Sequence, residues 1–228
     1  MKRLSLLALV VGCTGDLDPP WQLDHDRIVA VRATPPAIVA GGRSEIDALL
    51  AVKGSTTIEQ VPEAVLVIAP MTLATSVALD GGKWIVTAPG EDQLAAARVE
   101  LGLPLDAAVP LQLGVSYAGE TLFALKTVSL GVVAENPPIV VPVIAGAPAP
   151  AGDVEIVVGM LVDVPLAIEV ADTDEVNWLT SCGSMHDFDL PEAYLRVEPD
   201  DPTEGELAVV VRDERGGVNW QVWPIRAE

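Results

Sequence analysis

The second half of the sequence consists of short apolar runs that alternate with turn-forming residues. Six runs of five to eight residues stand out, at 154–158, 165–171, 176–182, 193–197, 206–212 and 218–225. Runs of this length suit β-strands and are shorter than the helices of a globular core. Several short strands joined by turns are typical of a β-sandwich. We therefore predict an all-β sandwich for this half of the chain.

The first half has a similar pattern. Strand-like runs occur at 44–52, 64–68, 83–87, 111–117 and 121–130. An earlier run begins at Arg27 and is broken by Pro35 and Pro36, which predicts a kink where the first strand of a sandwich changes sheets. The turn residues 118–120 predict a hairpin between the last two runs, in which Val115 and Tyr117 share one face.

One segment of the first half has the pattern of a helix. It opens with Pro89, Gly90 and two acidic residues, and apolar residues then follow at helical spacing until Gly102. Acidic residues in the first turn and a glycine after the last turn are the usual boundaries of a helix. This predicts one short helix within the first sandwich.

The two patterns are separated by a proline-rich segment. Residues 134–152 contain five prolines, and such a stretch suits a linker better than a core strand. The chain is long enough for two ordinary domains, each with its own core. We predict tandem β-sandwich domains at residues 25–135 and 136–228.

The N-terminus has the pattern of an export signal. Lys2 and Arg3 precede an apolar run at 4–11, and Gly12 and Cys13 follow. The run is shorter than the roughly 18 residues that a membrane-spanning helix needs. The stretch 10–13, Val-Val-Gly-Cys, resembles the lipobox of bacterial lipoproteins. This resemblance implies that residues 1–12 are removed and that Cys13 carries acyl chains such as palmitate; an ordinary signal peptide is the alternative.

The lipobox also implies a location. Thr14 is not the aspartate that retains lipoproteins of well-studied enteric bacteria at the inner membrane. The resemblance therefore implies a lipid-anchored protein of the bacterial cell envelope, at the outer membrane, with either side possible. Residues 13–24 combine Gly, Pro and Asp without periodicity, which predicts a flexible tether between the lipid and the fold.

The second sandwich has features of a known class. An acidic turn at 172–175, a strand with Trp178 that ends Ser-Cys-Gly at 183, and the run 205–213 resemble the immunoglobulin-like and PKD-like modules of bacterial surface proteins. The resemblance spans residues 139–228, and a weaker one covers 27–52. It implies two immunoglobulin-like sandwiches in tandem. The Asp-Gly-Asp turn of PKD modules is absent from this sequence, which puts any calcium or glycan role of that family in doubt.

The charge of the chain excludes one class of partner. Thirteen basic residues stand against 33 acidic ones, for a net charge of −20. Nucleic-acid binding needs a clustered basic surface, and the basic residues here are scattered singly. We expect no nucleic-acid partner, and the acidic surface suits a soluble exposed protein.

Candidate metal ligands occur in one short segment. Cys182, His186, Asp187 and Asp189 lie within eight residues, and soft ligands of this kind suit copper or zinc. The only other histidine is His25, in the predicted tether, so a closed site lacks ligands. The alternative is that Cys182 is a small buried residue and the others form a polar loop.

Two further groups of residues suggest binding. Acidic residues at 172–175 and at 187–189 flank the strand 176–182 and are expected about 23 Å apart, too far for one calcium site. Trp220 and Trp223 should face opposite sides of a strand, one in the core and one on the surface, while Trp178 should be buried. Trp21 lies in the tether with no predicted packing partner.

These features favour a non-catalytic envelope lipoprotein that acts as a structural or binding module within a larger assembly. The expected contacts are a membrane, through lipid on Cys13, and a protein partner, with no other cofactor. Two alternatives stay open: a metal-binding or redox-sensitive protein that uses Cys182 and His186, and an adhesin or glycan-binding module. A hydrolase is disfavoured because no base is oriented towards Ser184 or Cys182.

Overall fold

A computed structural model describes residues 19–53, 57–119, 121–152 and 154–228. The predicted signal peptide and lipobox, including Cys13, lie outside these residues. Within the described ranges, no helix combines the length and apolar character that crossing a bilayer requires.

In its described residues, the first sandwich contains nine strands, one α-helix and a short 3-10 helix at Met71–Ser76. Its elements are β1 (Arg27–Thr34), β2 (Ala37–Ile38), β3 (Arg43–Ala51), β4 (Ile58–Gln60), β5 (Ala64–Ala69), β6 (Val77–Asp80), β7 (Lys83–Thr87), α1 (Glu91–Leu101), β8 (Val109–Tyr117) and β9 (Leu122–Leu130). One sheet has the order β1-β3-β7-β6, with β4 also on β3, and the other has the order β2-β9-β8-β5.

The predicted kink in the first strand is confirmed. Strand β1 pairs antiparallel with β3, whereas β2 pairs parallel with β9 in the opposite sheet. Pro35 and Pro36 lie between the two segments, and proline has no N–H with which to continue the ladder to β3. The chain therefore changes sheets at this point.

The predicted helix and hairpin are also confirmed. Helix α1 begins after Gly90 and ends at Gly102, which adopts φ 66°, a left-handed conformation that glycine tolerates without strain. Strands β8 and β9 pair antiparallel from Val109 to Tyr117 on the β8 side. Val115 and Tyr117 are both buried on the inner face.

The second sandwich follows the same plan. Its strands are β10 (Val143–Ile144), β11 (Ala147–Pro148), β12 (Ile156–Val158), β13 (Val164–Ala167), β14 (Glu175–Thr180), β15 (Ser184–His186), β16 (Glu192–Arg196), β17 (Glu204–Arg212) and β18 (Val218–Ala227). One sheet has the order β11-β10-β13-β16-β15 and the other β12-β18-β17-β14. Trp178 on β14 and Trp223 on β18 are buried between the sheets.

Both sandwiches have the immunoglobulin strand order. Lettered in chain order, each has strands A, B, E and D in one sheet and C, F and G in the other. A short A′ segment pairs parallel with G in each case, β2 with β9 and β12 with β18. The predicted fold class, two immunoglobulin-like sandwiches with one α-helix in the first, is confirmed.

The prediction of a flexible tether is wrong for residues 19–24. The Leu23 amide donates to the Thr180 carbonyl at 2.9 Å, and the Thr180 amide donates to the Trp21 carbonyl at 2.9 Å. Leu23 is buried, and Trp21 packs against the second core. Strand β14 is the edge of its sheet, so its unpaired backbone groups bind this segment.

A third apolar cluster lies between the sandwiches. It joins Ala30, Leu49 and Ala51 of the first sandwich to residues of the outer β14-β17-β18 face of the second, with Trp220 among them. Trp220 and Trp223 do face opposite sides of β18, as predicted. The expected surface position of one of them is wrong, because the first sandwich covers Trp220 and leaves it 7% exposed.

Candidate functional site

The predicted ligand Cys182 lies in the second core. Its side chain is 0% exposed, and the thiol donates to the Pro202 carbonyl at 2.9 Å. Burial, together with the charge of Asp201, raises the pKa of Cys182 to about 11. The residue therefore stays a neutral thiol near neutral pH, and the thiolate is the form that binds metals.

The other predicted ligands do not join Cys182. Met185 on β15 is buried, so by strand alternation His186 points to the outer face, where its ring stacks on Tyr194 at 4.5 Å. Asp187 and Asp189 are exposed. Within the described residues, no group of three or more His, Cys, Asp or Glu side chains could hold a metal ion.

The expected 23 Å separation of the two acidic groups is wrong. The Trp178 amide donates to the Phe188 carbonyl at 2.7 Å, so the loop after β15 returns to the middle of β14. Asp187 and Asp189 are the sequence neighbours of Phe188 and therefore lie near Trp178, which is only three residues from Glu175. Strand β14 was expected to separate the two acidic groups, but Asp187 and Asp189 lie alongside it.

A cleft lies between the two sandwiches. Its volume is about 640 Å³, within the usual range of ligand sites. The walls come from residues 26–31 of β1 and its approach, residues 122–127 of β9, residues 212–214 and 216–218 at the β17–β18 turn, and residues 173 and 175 at the start of β14. The site thus exists only because the two sandwiches are docked.

Lys126 occupies an unusual position in this cleft. Along β9 the inward-facing residues are Leu122, Ala124, Lys126 and Val128, so a charged side chain stands in an apolar row. Its Nζ donates to the Gly216 carbonyl of the second sandwich at 2.6 Å. Burial, against the opposing charge of Asp213, lowers the pKa of Lys126 to about 8.

Two arginines line the same cleft. Arg212 donates to Asn177 Oδ1 at 2.5 Å and to the Val29 carbonyl at 2.9 Å. Arg27 donates to the Pro20 carbonyl at 2.8 Å, but its Nε is buried without an acceptor among the described residues. Burial lowers the pKa of both arginines, against the opposing charges of Asp24 at Arg27 and of Glu175 at Arg212; repulsion by Arg212 also lowers the pKa of Arg27.

These three cations have only neutral hydrogen-bond partners. In the described parts of the chain, no carboxylate oxygen lies within 4 Å of Arg27, Lys126 or Arg212. Four acidic residues also line the cleft: Asp26, Glu175, Asp213 and Glu214. Two of them bind backbone amides. Asp213 accepts from the Arg215 and Gly217 amides and closes the β17–β18 turn, and Asp26 accepts from the Lys53 amide.

The cleft continues into an exposed apolar surface. Phe123 and Leu125, on the outer face of β9, are 61% and 68% exposed and line the cleft. Leu66 and Ile68 on β5 belong to the same outer face and are also exposed. Gly114 lies between them, and a Cβ there would approach the Phe123 ring to 2.8 Å. The glycine therefore lets the ring lie close to the sheet.

One signal for this site is present in the sequence and was missed. Lys126 interrupts the alternation of apolar residues in the run 121–130, and a lysine at an inward position indicates a charge that needs a special environment. Arg27 and Arg212 have no comparable signal. Their proximity depends on the docking of the sandwiches. The three tryptophans of the second sandwich, Trp178, Trp220 and Trp223, are all buried.

No protein-family model and no curated protein matches the chain. Among solved structures, the fibronectin(III)-like modules of CbhA from Clostridium thermocellum are similar at 14% identity and a TM-score of 0.29, over 87% of this chain and 94% of that one. The tandem Ig repeats of Dlar are similar at 12% identity and a TM-score of 0.31, over 87% and 97%.

A nucleoside hydrolase-related hypothetical protein from Saccharophagus degradans is similar at 12% identity and a TM-score of 0.33, over 41% of this chain. The present chain spans 26% of that protein's length. Superpositions at these TM-scores carry no information about function. The assignment of immunoglobulin-like sandwiches rests on the strand order of the two domains.

Proposed function

We propose that this protein is a non-catalytic binding module of the bacterial cell envelope. Acyl chains on Cys13 hold it at the outer membrane, and its two sandwiches together bind a protein partner within a larger assembly. The observation that carries this proposal is the buried interface between the sandwiches. Two domains that are held in one orientation can keep a partner at a fixed distance from a bilayer.

The polar contacts across the interface support its rigidity. Arg32 of the first sandwich lies over the Trp220 ring at 3.9 Å and donates to Asn219 Oδ1 at 3.2 Å. Trp220 Nε1 donates to Glu59 of the first sandwich at 2.7 Å. Asn136 donates to the Ala33 carbonyl and accepts from the Val218 amide. Directional bonds of this kind fix the orientation that apolar contact alone leaves free.

The binding role is also supported by the chemistry of the polar groups. Cys182 is held as a buried thiol, and His186 stacks on Tyr194 on the opposite face of its strand. A nucleophile and its base need to lie within hydrogen-bonding distance. Cys182 and His186, which are close in sequence, thus point in different directions.

The bound N-terminal segment sets how close the sandwiches lie to the membrane. Residues 19–24 contact the second sandwich, so only the chain from Cys13 to Pro19 separates the acyl chains from the fold. Six Cα–Cα steps reach at most about 20 Å. The proposed module therefore acts close to the bilayer surface.

A count of thiols tests the anchor. The chain has two cysteines, and acylation consumes the sulfur of Cys13. Protein purified from its native host and unfolded in urea should then react with one equivalent of a thiol reagent, and its intact mass should show loss of residues 1–12 and a gain of acyl and glyceryl groups. Two reactive thiols, or a retained Met1, would contradict the anchor.

Cross-linking in the native membrane tests the binding role. Lysine- and carboxylate-directed cross-linkers should join the protein to one or a few envelope proteins. A Cys13→Ser variant, which lacks the acylated sulfur, is the control and should leave the membrane fraction. Recovery of the wild-type protein without any cross-linked partner would contradict a role in an assembly.

A further inference from the structure

The inter-sandwich cleft contains three cations that have no carboxylate oxygen within 4 Å among the described residues. Arg27, Lys126 and Arg212 come from β1, β9 and β17, and each is at least partly buried. All of their described acceptors are neutral oxygens. A buried charge without a partner is unfavourable, and so is the repulsion between neighbouring cations. An anion in the cleft would remove both penalties.

The geometry of the donors favours a carboxylate. Arg27 Nε is buried and has no acceptor among the described residues, so one donor of its guanidinium is unused. Guanidinium groups bind carboxylates through two parallel hydrogen bonds, and these are among the stronger hydrogen bonds in proteins. Arg212 and Lys126 add further charge in the same cleft.

The walls of the cleft favour an extended chain as the bearer of that carboxylate. Strand β1 is the edge of its sheet, and β9 is paired by β2 only at Ser129 and Leu130. Both strands therefore present backbone groups along the cleft. Extended peptides bind such edges through main-chain hydrogen bonds, and their alternate side chains point in opposite directions.

The apolar surface completes the match. Phe123 and Leu125 are exposed where they line the cleft, next to the buried Lys126 on the same strand. An extended segment that alternates acidic and aliphatic residues would place carboxylates towards the cations and aliphatic side chains on Phe123 and Leu125. A free organic acid would leave this apolar wall uncovered.

We propose that the cleft binds an extended segment of a partner protein in which acidic and aliphatic residues alternate, with its carboxylates on Arg27, Arg212 and Lys126. This proposal rests on the proposed protein partner and names its chemistry. In the bound state, the carboxylates of this segment form ion pairs with the three cations.

Calorimetric titration of the purified protein with the pentapeptide acetyl-Val-Asp-Val-Glu-Val-amide tests this proposal. The matched control peptide carries Asn and Gln in place of Asp and Glu. We expect the acidic peptide to bind at least about tenfold more tightly than the neutral one, since a lost charge-assisted hydrogen bond weakens binding by about this factor or more. Equal affinities would overturn the proposal.

Lys126→Met tests the site within the protein, with Lys83→Met as the control because Lys83 is exposed on β7. Lys126→Met should weaken binding of the acidic peptide about tenfold or more, and Lys83→Met should leave it unchanged. Bound peptide should also slow amine labelling of Lys126 but not of Lys53 or Lys83, as read by mass spectrometry. Equal labelling in the presence of saturating peptide would overturn the site.

Two outcomes separate this proposal from the proposed function. If a membrane partner is cross-linked but its contacts map away from the cleft, the inference is wrong and the binding role stands. If the peptide binds in the cleft but no partner and no acyl chain are found, the site stands and the envelope role is wrong. Binding of free succinate as tight as that of the peptide would overturn the assignment to a peptide segment.

Discussion

Replacement of Lys126 by methionine should stabilise the folded protein. The lysine side chain is only 8% exposed, and its Nζ contacts a neutral carbonyl, that of Gly216. Methionine has a similar length and suits the apolar row formed by Leu122, Ala124 and Val128 on β9. The variant removes the charge and keeps most of the packing.

The magnitude follows from the pKa of Lys126, which burial lowers from 10.5 to about 8. A tenfold change in proton affinity corresponds to about 1.4 kcal/mol, so the protonated amine destabilises the folded state by about 3 kcal/mol at pH 7. The variant also removes the hydrogen bond to the exposed Gly216, which offsets at most about 1 kcal/mol. We expect a net gain of about 2 kcal/mol in the free energy of unfolding.

The gain should depend on pH in a defined direction. The folded-state pKa of Lys126, about 8, is lower than the unfolded-state value of 10.5. Between these values the unfolded chain binds more protons, so the stability of the wild-type protein rises with pH. The penalty is fully present below pH 8 and is lost by pH 10.5. The advantage of Lys126→Met is therefore largest at neutral pH and shrinks as the pH approaches 10.

Urea denaturation followed by tryptophan fluorescence, at pH 7 and pH 9.5, measures both effects. Lys83→Met is the control; it removes an exposed ion pair with Glu45 and should change stability by less than about 1 kcal/mol. The reasoning is refuted if Lys126→Met is less stable than the wild-type protein at pH 7, or if its advantage is the same at both pH values.

Three further outcomes are expected. Trp220→Ala should lower the free energy of unfolding by about 3 to 5 kcal/mol, and X-ray scattering should show a larger radius of gyration because the interface loosens; unchanged scattering would contradict a rigid interface. Gly183→Ala should unfold the second sandwich or destabilise it by at least about 3 kcal/mol, because a Cβ at its φ of 85° would collide with the Arg196 carbonyl. Gly81→Ala, in open space at φ 59°, should cost only about 1 to 2 kcal/mol in urea denaturation. Cys182 should resist thiol reagents at pH 8 in the folded protein and react once urea is added, since burial raises its pKa to about 11; rapid reaction without urea would show that the core is open.

Local chemistry made much of the fold predictable. The diproline at 35–36 lacks the N–H groups that a continuous first strand needs, and this predicted the change of sheet. Gly102 and the acidic residues after Gly90 marked both ends of α1. In each case the residue type disfavoured one backbone conformation: a continuous strand at the diproline and a longer helix at Gly102. The short strands β10, β11 and β15 were missed because two or three residues carry no periodicity.

The contacts between distant segments were not predictable in this way. The segment 19–24 has the composition of a linker, and it is ordered only because the edge of β14 accepts it. Trp220 has the alternation of a surface residue, and the first sandwich covers it. The return of the chain past Trp178 likewise depends on a loop. Patterns along one strand report which face a residue takes, but not what packs on that face.

The charge distribution bears on both expected effects of Lys126, the loss of stability and the binding of a carboxylate. A chain with 33 acidic residues has ample carboxylates to pair with Arg27, Lys126 and Arg212, yet the described structure pairs none of them within 4 Å. Selection for stability alone would favour a neutral residue at position 126, and retained instability is typical of binding sites. The same substitution must therefore raise stability and weaken binding of the acidic peptide. A Lys126→Met variant that gains stability and binds the peptide with unchanged affinity would show that the amine has no part in binding.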